Sequence, residues 1–155
     1  MGFARNGAQR LLVYEMLPGG DVSNRLASGP TLSWKRRLTI LLDAACGVSH
    51  LHNAKPKVFH RDIKTANILL DRNGTAKIAD FGLACLMQAG PSSSQSYKVQ
   101  QTAGTIGYAD PLYIKRAVSQ ALVNEKTEVY SFGMVILELL TAKPPAVQKS
   151  NGGIE

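Results

Sequence analysis

The sequence predicts an α+β fold in which helices carry most of the core and the strands are few and short. Three observations lead there. Behind Ser33, the residues Leu38, Leu41, Leu42, Ala45, Ser49 and His52 recur at the i, i+3, i+4 spacing of one helix face. Residues 129–140 are apolar nearly all round, the pattern of a central buried helix. Between the two, apolar pieces of two or three residues alternate with polar loops, as small β elements do.

Taken in order, residues 9–16 (Gln-Arg-Leu-Leu-Val-Tyr-Glu-Met) are rich in strand formers and stop at Leu17-Pro18-Gly19-Gly20, a hinge-like turn. Residues 21–28 form a short helix before the Gly29-Pro30 break. The long helix follows, with Ser33 as N-cap and an end near His52-Asn53, and Lys35, Arg36 and Arg37 on its exposed face. After Pro56 come strands at Val58-Phe59, Ile68-Leu69-Leu70 and Ala76-Lys77-Ile78, the last two joined by the turn formers Asp71-Arg72-Asn73-Gly74. Residues 86–102 are Ser-rich and bury too little apolar surface to offset ordering entropy, so they are expected to be disordered unless phosphorylated. Pro144-Pro145 ends the final helix.

Composition sets the outer bounds. The 155 residues suit one domain, and 45% hydrophobic with 19% charged residues excludes collagen, coiled coil and wholesale disorder. No apolar run reaches the roughly 18 residues that span a bilayer, and residues 1–7 do not read as a secretory leader, so a cytosolic setting is expected. Cys46 and Cys85 lie far apart without a CxxC pair and are read as buried small hydrophobes. The net charge of +7 suits an anionic partner, but the basic residues are scattered and aromatics are only 6% of the chain. Nucleic acid is therefore not expected as a partner.

The chemistry concentrates in His60-Arg61-Asp62-Ile63-Lys64-Thr65-Ala66-Asn67 and, thirteen positions after Asn67, Asp80-Phe81-Gly82. A carboxylate, a lysine, an amide and a second carboxylate sit on two loops that a hairpin brings together. Such groups suit phosphoryl transfer, which needs hard oxygen ligands for Mg²⁺, positive charge near phosphate oxygens, and an acceptor for a hydroxyl. Asn67 and Asp80 supply metal oxygens, Lys64 the charge, and Asp62 the acceptor. His60 and Phe81 are read as packed core side chains.

This constellation resembles the catalytic loop of protein kinases and the metal-binding motif that follows it. Gly104-Thr105-Ile106-Gly107-Tyr108, Leu32-Ser33-Trp34 and Tyr130-Ser131-Phe132-Gly133 are similar to the receptor-like and interleukin-1-receptor-associated serine/threonine kinases of the tyrosine-kinase-like group. The resemblance implies a protein-kinase-like fold, with residues 1–17 the end of the N-lobe sheet and the hinge, and residues 18–155 an incomplete, mostly helical C-lobe. It implies ATP and Mg²⁺ as cofactors and protein Ser/Thr hydroxyls as substrates. Tyr14 becomes the gatekeeper, Glu15 and Leu17 the hinge backbone at adenine, Asp21 a neighbour of ribose, and Leu69 the adenine floor. Asp62, Lys64, Asn67 and Thr105 become catalytic, with Asn67 and Asp80 holding magnesium. Arg61 would pair with a phosphate on Thr102, Ser96 or Tyr97, placed by an upstream activating kinase.

The resemblance also implies parts that these 155 residues do not contain: a glycine-rich phosphate loop, a strand lysine and a helix glutamate. The isolated chain is accordingly expected to be inactive, and a kinase-like binding module without turnover is the alternative. Pro111-Leu112 stands where the family has Pro-Glu, residues 119–123 look like an insertion, and Glu128 stands where the family has Asp to hold the catalytic-loop backbone.

Overall fold

The computed structural model describes residues 2–28, 31–87, 96–99, 103–116 and 122–145. It opens with an antiparallel hairpin, β1 (Gly2–Asn6) and β2 (Gln9–Val13), whose residues are all exposed. The strand expected over 9–16 thus ends at Val13. β3 (Gly20–Asp21), β5 (Ile68–Leu70) and β6 (Ala76–Ile78) form a three-stranded sheet in that order, and β4 (Lys57–Phe59) pairs with β7 (Cys85–Met87). Gly19 lets the chain press onto this sheet. Its N–H donates to the Leu70 carbonyl at 2.9 Å, and a Cβ there would lie 2.6 Å from that oxygen.

Three helices begin at a side-chain cap. Asp21 accepts from the Asn24 N–H ahead of α1 (Val22–Ala27), Ser33 from the Arg36 N–H ahead of α2 (Trp34–Asn53), and Asn124 from the Thr127 N–H ahead of α4 (Glu125–Thr141). Such a cap is typically worth about 1 kcal/mol. The short α3 (Pro111–Arg116) lies between the last two.

The main core joins Ile40, Ala44 and Val48 of α2 to Val135 and Leu139 of α4, with Ile63, Ile68, Leu70 and Ala76 from the loops and sheet. This corrects the sequence-derived face of α2, because Leu38 and Leu42 are 47% and 64% exposed. The sheet and α4 contact the helix along a narrow stripe of residues four apart, and Leu41 only borders it. Nor is the 35–37 triple an exposed face: Arg37 donates to the carbonyls of Leu32 and Leu139 at 3.0 and 2.6 Å, tying α2 to the end of α4. α4 is not buried all round either. Val129, Leu137 and Leu140 are exposed, while its interior face includes two carboxylates, Glu128 and Glu138, each met by donors. Cys46 is exposed, so only Cys85 is partly covered.

A second apolar cluster gathers Phe59, Tyr113 and Val123 with Cys85, Met87, Tyr97 and Val99. It explains why part of the 86–102 tract is ordered, contrary to expectation. Leu86 and Met87 belong to β7, and β8 (Tyr97–Lys98) pairs with β9 (Leu122–Val123). Tyr97 packs at a tilt on Phe59 with ring centroids 5.6 Å apart, which supplies the apolar burial that composition alone does not reveal. Residues 88–95 and 100–102 lie outside the described residues.

The burial pattern separates two neighbours on α2. Ile40→Ala should lower unfolding stability by about 2–5 kcal/mol, and Leu42→Ala by less than about 1 kcal/mol, in urea denaturation. The reverse order would restore the face read from spacing.

Candidate active site

The segment between β4 and β5 is fixed from below by α4. Glu128 is 2% exposed, and its Oε1 accepts the Arg61 backbone N–H at 2.6 Å while Oε2 lies 2.6 Å from His52 Nε2 on α2. The extra methylene of Glu128 therefore does not prevent it from holding this loop. Arg61 has φ +69°, a left-handed conformation that costs a side-chain-bearing residue about 1–2 kcal/mol. The charge-assisted bond to Glu128 offsets that strain. His60 is fully buried and its Nε2 lies 2.9 Å from the Ala79 carbonyl, linking this loop to the one after β6.

Asp62 is the hub. Its Oδ1 accepts from Thr105 Oγ1 at 2.6 Å, and its Oδ2 from Lys64 Nζ at 2.9 Å and Asn67 Nδ2 at 3.0 Å. Lys64 Nζ also donates to Thr105 Oγ1 at 2.8 Å, closing a ring of three side chains. Burial alone would push the Asp62 carboxyl up. The hydrogen bonds from Lys64 and Thr105, the Lys64 charge and the Asn67 amide outweigh burial and hold it below the usual carboxylate value.

Asp80 sits at the start of a 3-10 turn, Phe81–Leu83, in the left-handed conformation with φ +62°, and its Oδ1 accepts the Gly82 N–H at 3.2 Å. The Ala79 N–H donates to the Asn67 carbonyl at 2.9 Å, which brings Asp80 beside Asn67. Asn67 spends its amide N–H groups on the Asp62 carbonyl and carboxylate, and so keeps its oxygen as an acceptor. Phe81 tilts over the His60 ring at 4.9 Å but is 46% exposed, because nothing among the described residues covers its outer side; it is not the core residue expected.

A second carboxylate of α4 fixes the other wall. Glu138, 5% exposed, accepts from Thr65 Oγ1 at 2.9 Å and from the Tyr108 hydroxyl. Burial and then that bond push the Tyr108 phenol well above its ordinary value. Gly104 permits the close approach of this wall, since a Cβ there would lie 3.0 Å from the Arg61 carbonyl at φ +128°.

The sequence pattern of the protein kinase domain matches residues 1–154. The chain belongs to the protein kinase family. It is 45% identical to a probable receptor-like protein kinase of Arabidopsis thaliana, over 96% of this chain and 17% of that protein. It is 43% identical to the probable serine/threonine-protein kinase PBL18 of Arabidopsis thaliana, over 100% of this chain and 38% of the relative. Receptor-like cytoplasmic kinase 176 of Oryza sativa subsp. japonica is 43% identical over 92% of this chain and 35% of its own length. The chain thus spans about a sixth to two fifths of the relatives it matches.

The hinge residues of the kinase reading lie beside the sheet. Glu15 pairs with Lys77 Nζ at 2.7 Å, Lys77 faces Leu69 across β5 and β6, and Leu69 faces Asp21 across β3 and β5. Tyr14 is 67% exposed, and the Leu17 carbonyl accepts the Gly20 N–H. Asp21 spends its carboxylate on capping α1. Of the regulatory candidates, Ser96 is exposed and accepts from Asn124 Nδ2 at 3.0 Å, and Thr102 lies outside the described residues. Arg61 reaches the Leu83 carbonyl at 3.3 Å and the Tyr113 hydroxyl at 3.4 Å. Leu112, in place of the usual glutamate, is exposed.

Four residues at this site escaped the sequence reading in these roles: His52, Tyr108, Tyr113 and Glu138. Tyr113 is 6% exposed, and its hydroxyl accepts from both Arg61 and the Ala103 N–H, joining α3, the loop between β4 and β5 and the segment before Gly104. The one available signal was Glu138 itself, a charge inside an apolar helix.

Glu128→Ala, which strands the Arg61 N–H and His52, should cost about 1–3 kcal/mol in urea denaturation. The Asp62 carboxyl is lower in the folded chain than in the unfolded one, so its contribution is present above the unfolded value near pH 4 and is lost as pH falls through the folded value. Stability measured from pH 5 to pH 2 should fall less steeply in Asp62→Asn than in the wild type; equal slopes would contradict the assignment.

Proposed function

We propose that this chain is the hinge and most of the lower lobe of a serine/threonine protein kinase that transfers the γ-phosphoryl group of ATP to protein hydroxyls. One observation carries the reading: Asp62, Lys64, Thr105 and Asn67 are joined by hydrogen bonds into one preorganised cluster. A carboxylate accepts about four hydrogen bonds, and three of Asp62's are taken, which leaves one for an incoming hydroxyl. Asp62 orients that hydroxyl and receives its proton. Lys64 keeps positive charge beside the acceptor, and Thr105 holds both in place below a substrate backbone.

Asn67 and Asp80 fit a magnesium ion that is completed by nucleotide phosphates. Among the described residues no donor meets the Asn67 oxygen and no group of three His, Cys, Asp or Glu side chains gathers to hold a metal alone, while Asp80 is exposed at the loop edge. Bound Mg²⁺ would offset charge on the phosphate oxygens. Tyr14, Glu15, Leu17, Asp21 and Leu69 would line the nucleotide end. A phosphate on Thr102 or Ser96, added by an upstream kinase, would draw Arg61 into a charge-assisted bond and set the segment before Gly104. No described helix is long and apolar enough to cross a membrane, and we assign the domain to the cytosolic side.

A second reading, a binding module without turnover, is favoured by the β1–β2 hairpin. All of its residues are exposed, which leaves the hairpin open to a partner.

Calorimetry on the 155-residue chain should find Mg-ATP no tighter than about millimolar, since half a cleft leaves its polar contacts facing water. Micromolar affinity would contradict this. In a polypeptide that also supplies the glycine-rich loop, strand lysine and helix glutamate, Asp62→Asn should slow phosphoryl transfer to protein by about 10²–10⁴-fold. No transfer by that wild-type polypeptide would favour the binding module.

A further inference from the structure

A groove of about 660 Å³ runs between α1, the start of α2 and the β5–β6 turn. Arg25, Arg36 and Arg72 line it together with exposed Pro18 and half-buried Leu32. Among the described residues none of the three guanidinium groups forms an ion pair, whereas Lys57, Lys64 and Lys77 each do. Arg25 and Arg36 are instead steered by neutral carbonyls: Arg25 Nε donates to Gly19 at 2.9 Å, and Arg36 Nη2 to Gly74. A guanidinium group has five donors, so most remain available after one such bond. The groove's one carboxylate, Asp71, accepts the N–H groups of Asn73 and Thr75 on a single oxygen, both at 2.8 Å, and forms no ion pair with the arginines.

We propose that this groove docks an extended acidic segment of a partner protein, whose carboxylates meet Arg25, Arg36 and Arg72 while its apolar side chains settle on Pro18 and Leu32. Three positive charges, two of them held by carbonyl contacts, against one internally bonded carboxylate define the sign of the occupant. The apolar surface beside them selects a peptide that alternates acidic and apolar side chains. The volume matches a short stretch of chain rather than a lone ion. No aromatic side chain lines the groove, so it offers no stacking surface to nucleic-acid bases. The site shares no residue with the Asp62 cluster, and it stands or falls independently of phosphoryl transfer.

The test is fluorescence polarisation on the full 155-residue chain with a labelled decapeptide of alternating glutamate and leucine. Saturable binding that weakens as salt is raised is expected, with a glutamine–leucine decapeptide at least about tenfold weaker. The triple substitution Arg25→Gln, Arg36→Gln, Arg72→Gln should weaken binding about tenfold or more. A charge-matched control, Arg5→Gln, Arg10→Gln, Lys35→Gln, should leave it within about twofold. The pair Arg25→Gln, Arg72→Gln keeps the Arg36 contact with Gly74, and it should weaken binding at least about fivefold even where the triple variant folds poorly. Absence of binding, equal loss in the control, or equal affinity for a labelled oligonucleotide or for anionic vesicles would overturn the proposal.

Discussion

The bond between the Glu128 carboxylate and the Arg61 backbone N–H is the constraint on which the site depends. Arg61 must adopt a left-handed backbone for Asp62 to turn toward Lys64 and Thr105, and that conformation is unfavourable on its own. A buried carboxylate supplies the compensation, and His52 in turn faces that carboxylate from α2. Two helices and the loop are thereby locked at one point. A buried charge tolerated only because its donors are in place behaves as a geometric fastener, since removing any partner leaves an unpaired group in the interior.

Glu138 repeats the device about three turns along the same helix. Its bonds to Thr65 and Tyr108 bring the back of the loop between β4 and β5 and the segment after Gly104 onto α4. Asp62 and Thr105 then meet because both carriers rest on one rigid helix, and their 2.6 Å contact needs no further ordering. Preorganisation of this kind is what phosphoryl transfer asks of a protein, whose task there is mainly positioning and electrostatics. The arginine groove is lined by none of these residues.

Much of this was legible in the sequence, and the reasons are local. Ser33 and the length of α2, the two short hairpin strands around Asp71–Gly74, and the meeting of Asn67 with Asp62 follow from caps, turn formers and motif spacing. The buried face of α2 did not, because Leu38, Leu42 and Ile40 all satisfy an apolar pattern and only tertiary contact chooses among them. Order in residues 96–99 was likewise hidden, since it rests on Tyr97 meeting Phe59 from a distant strand. Tyr113 and His52 act through partners more than fifty positions away, a separation that no local pattern encodes.

In the proposed kinase, Asn67 and Asp80 would face one metal-nucleotide site beside Asp62. Paramagnetic broadening of amide resonances by Mn²⁺-ATP tests it most directly, because a low occupancy suffices when affinity is weak. Broadening should centre on Asn67 and Asp80, extend to Asp62, spare the turn at Gly74, and vanish in Asp80→Asn. Broadening centred elsewhere, or unchanged by that substitution, would rule that site out.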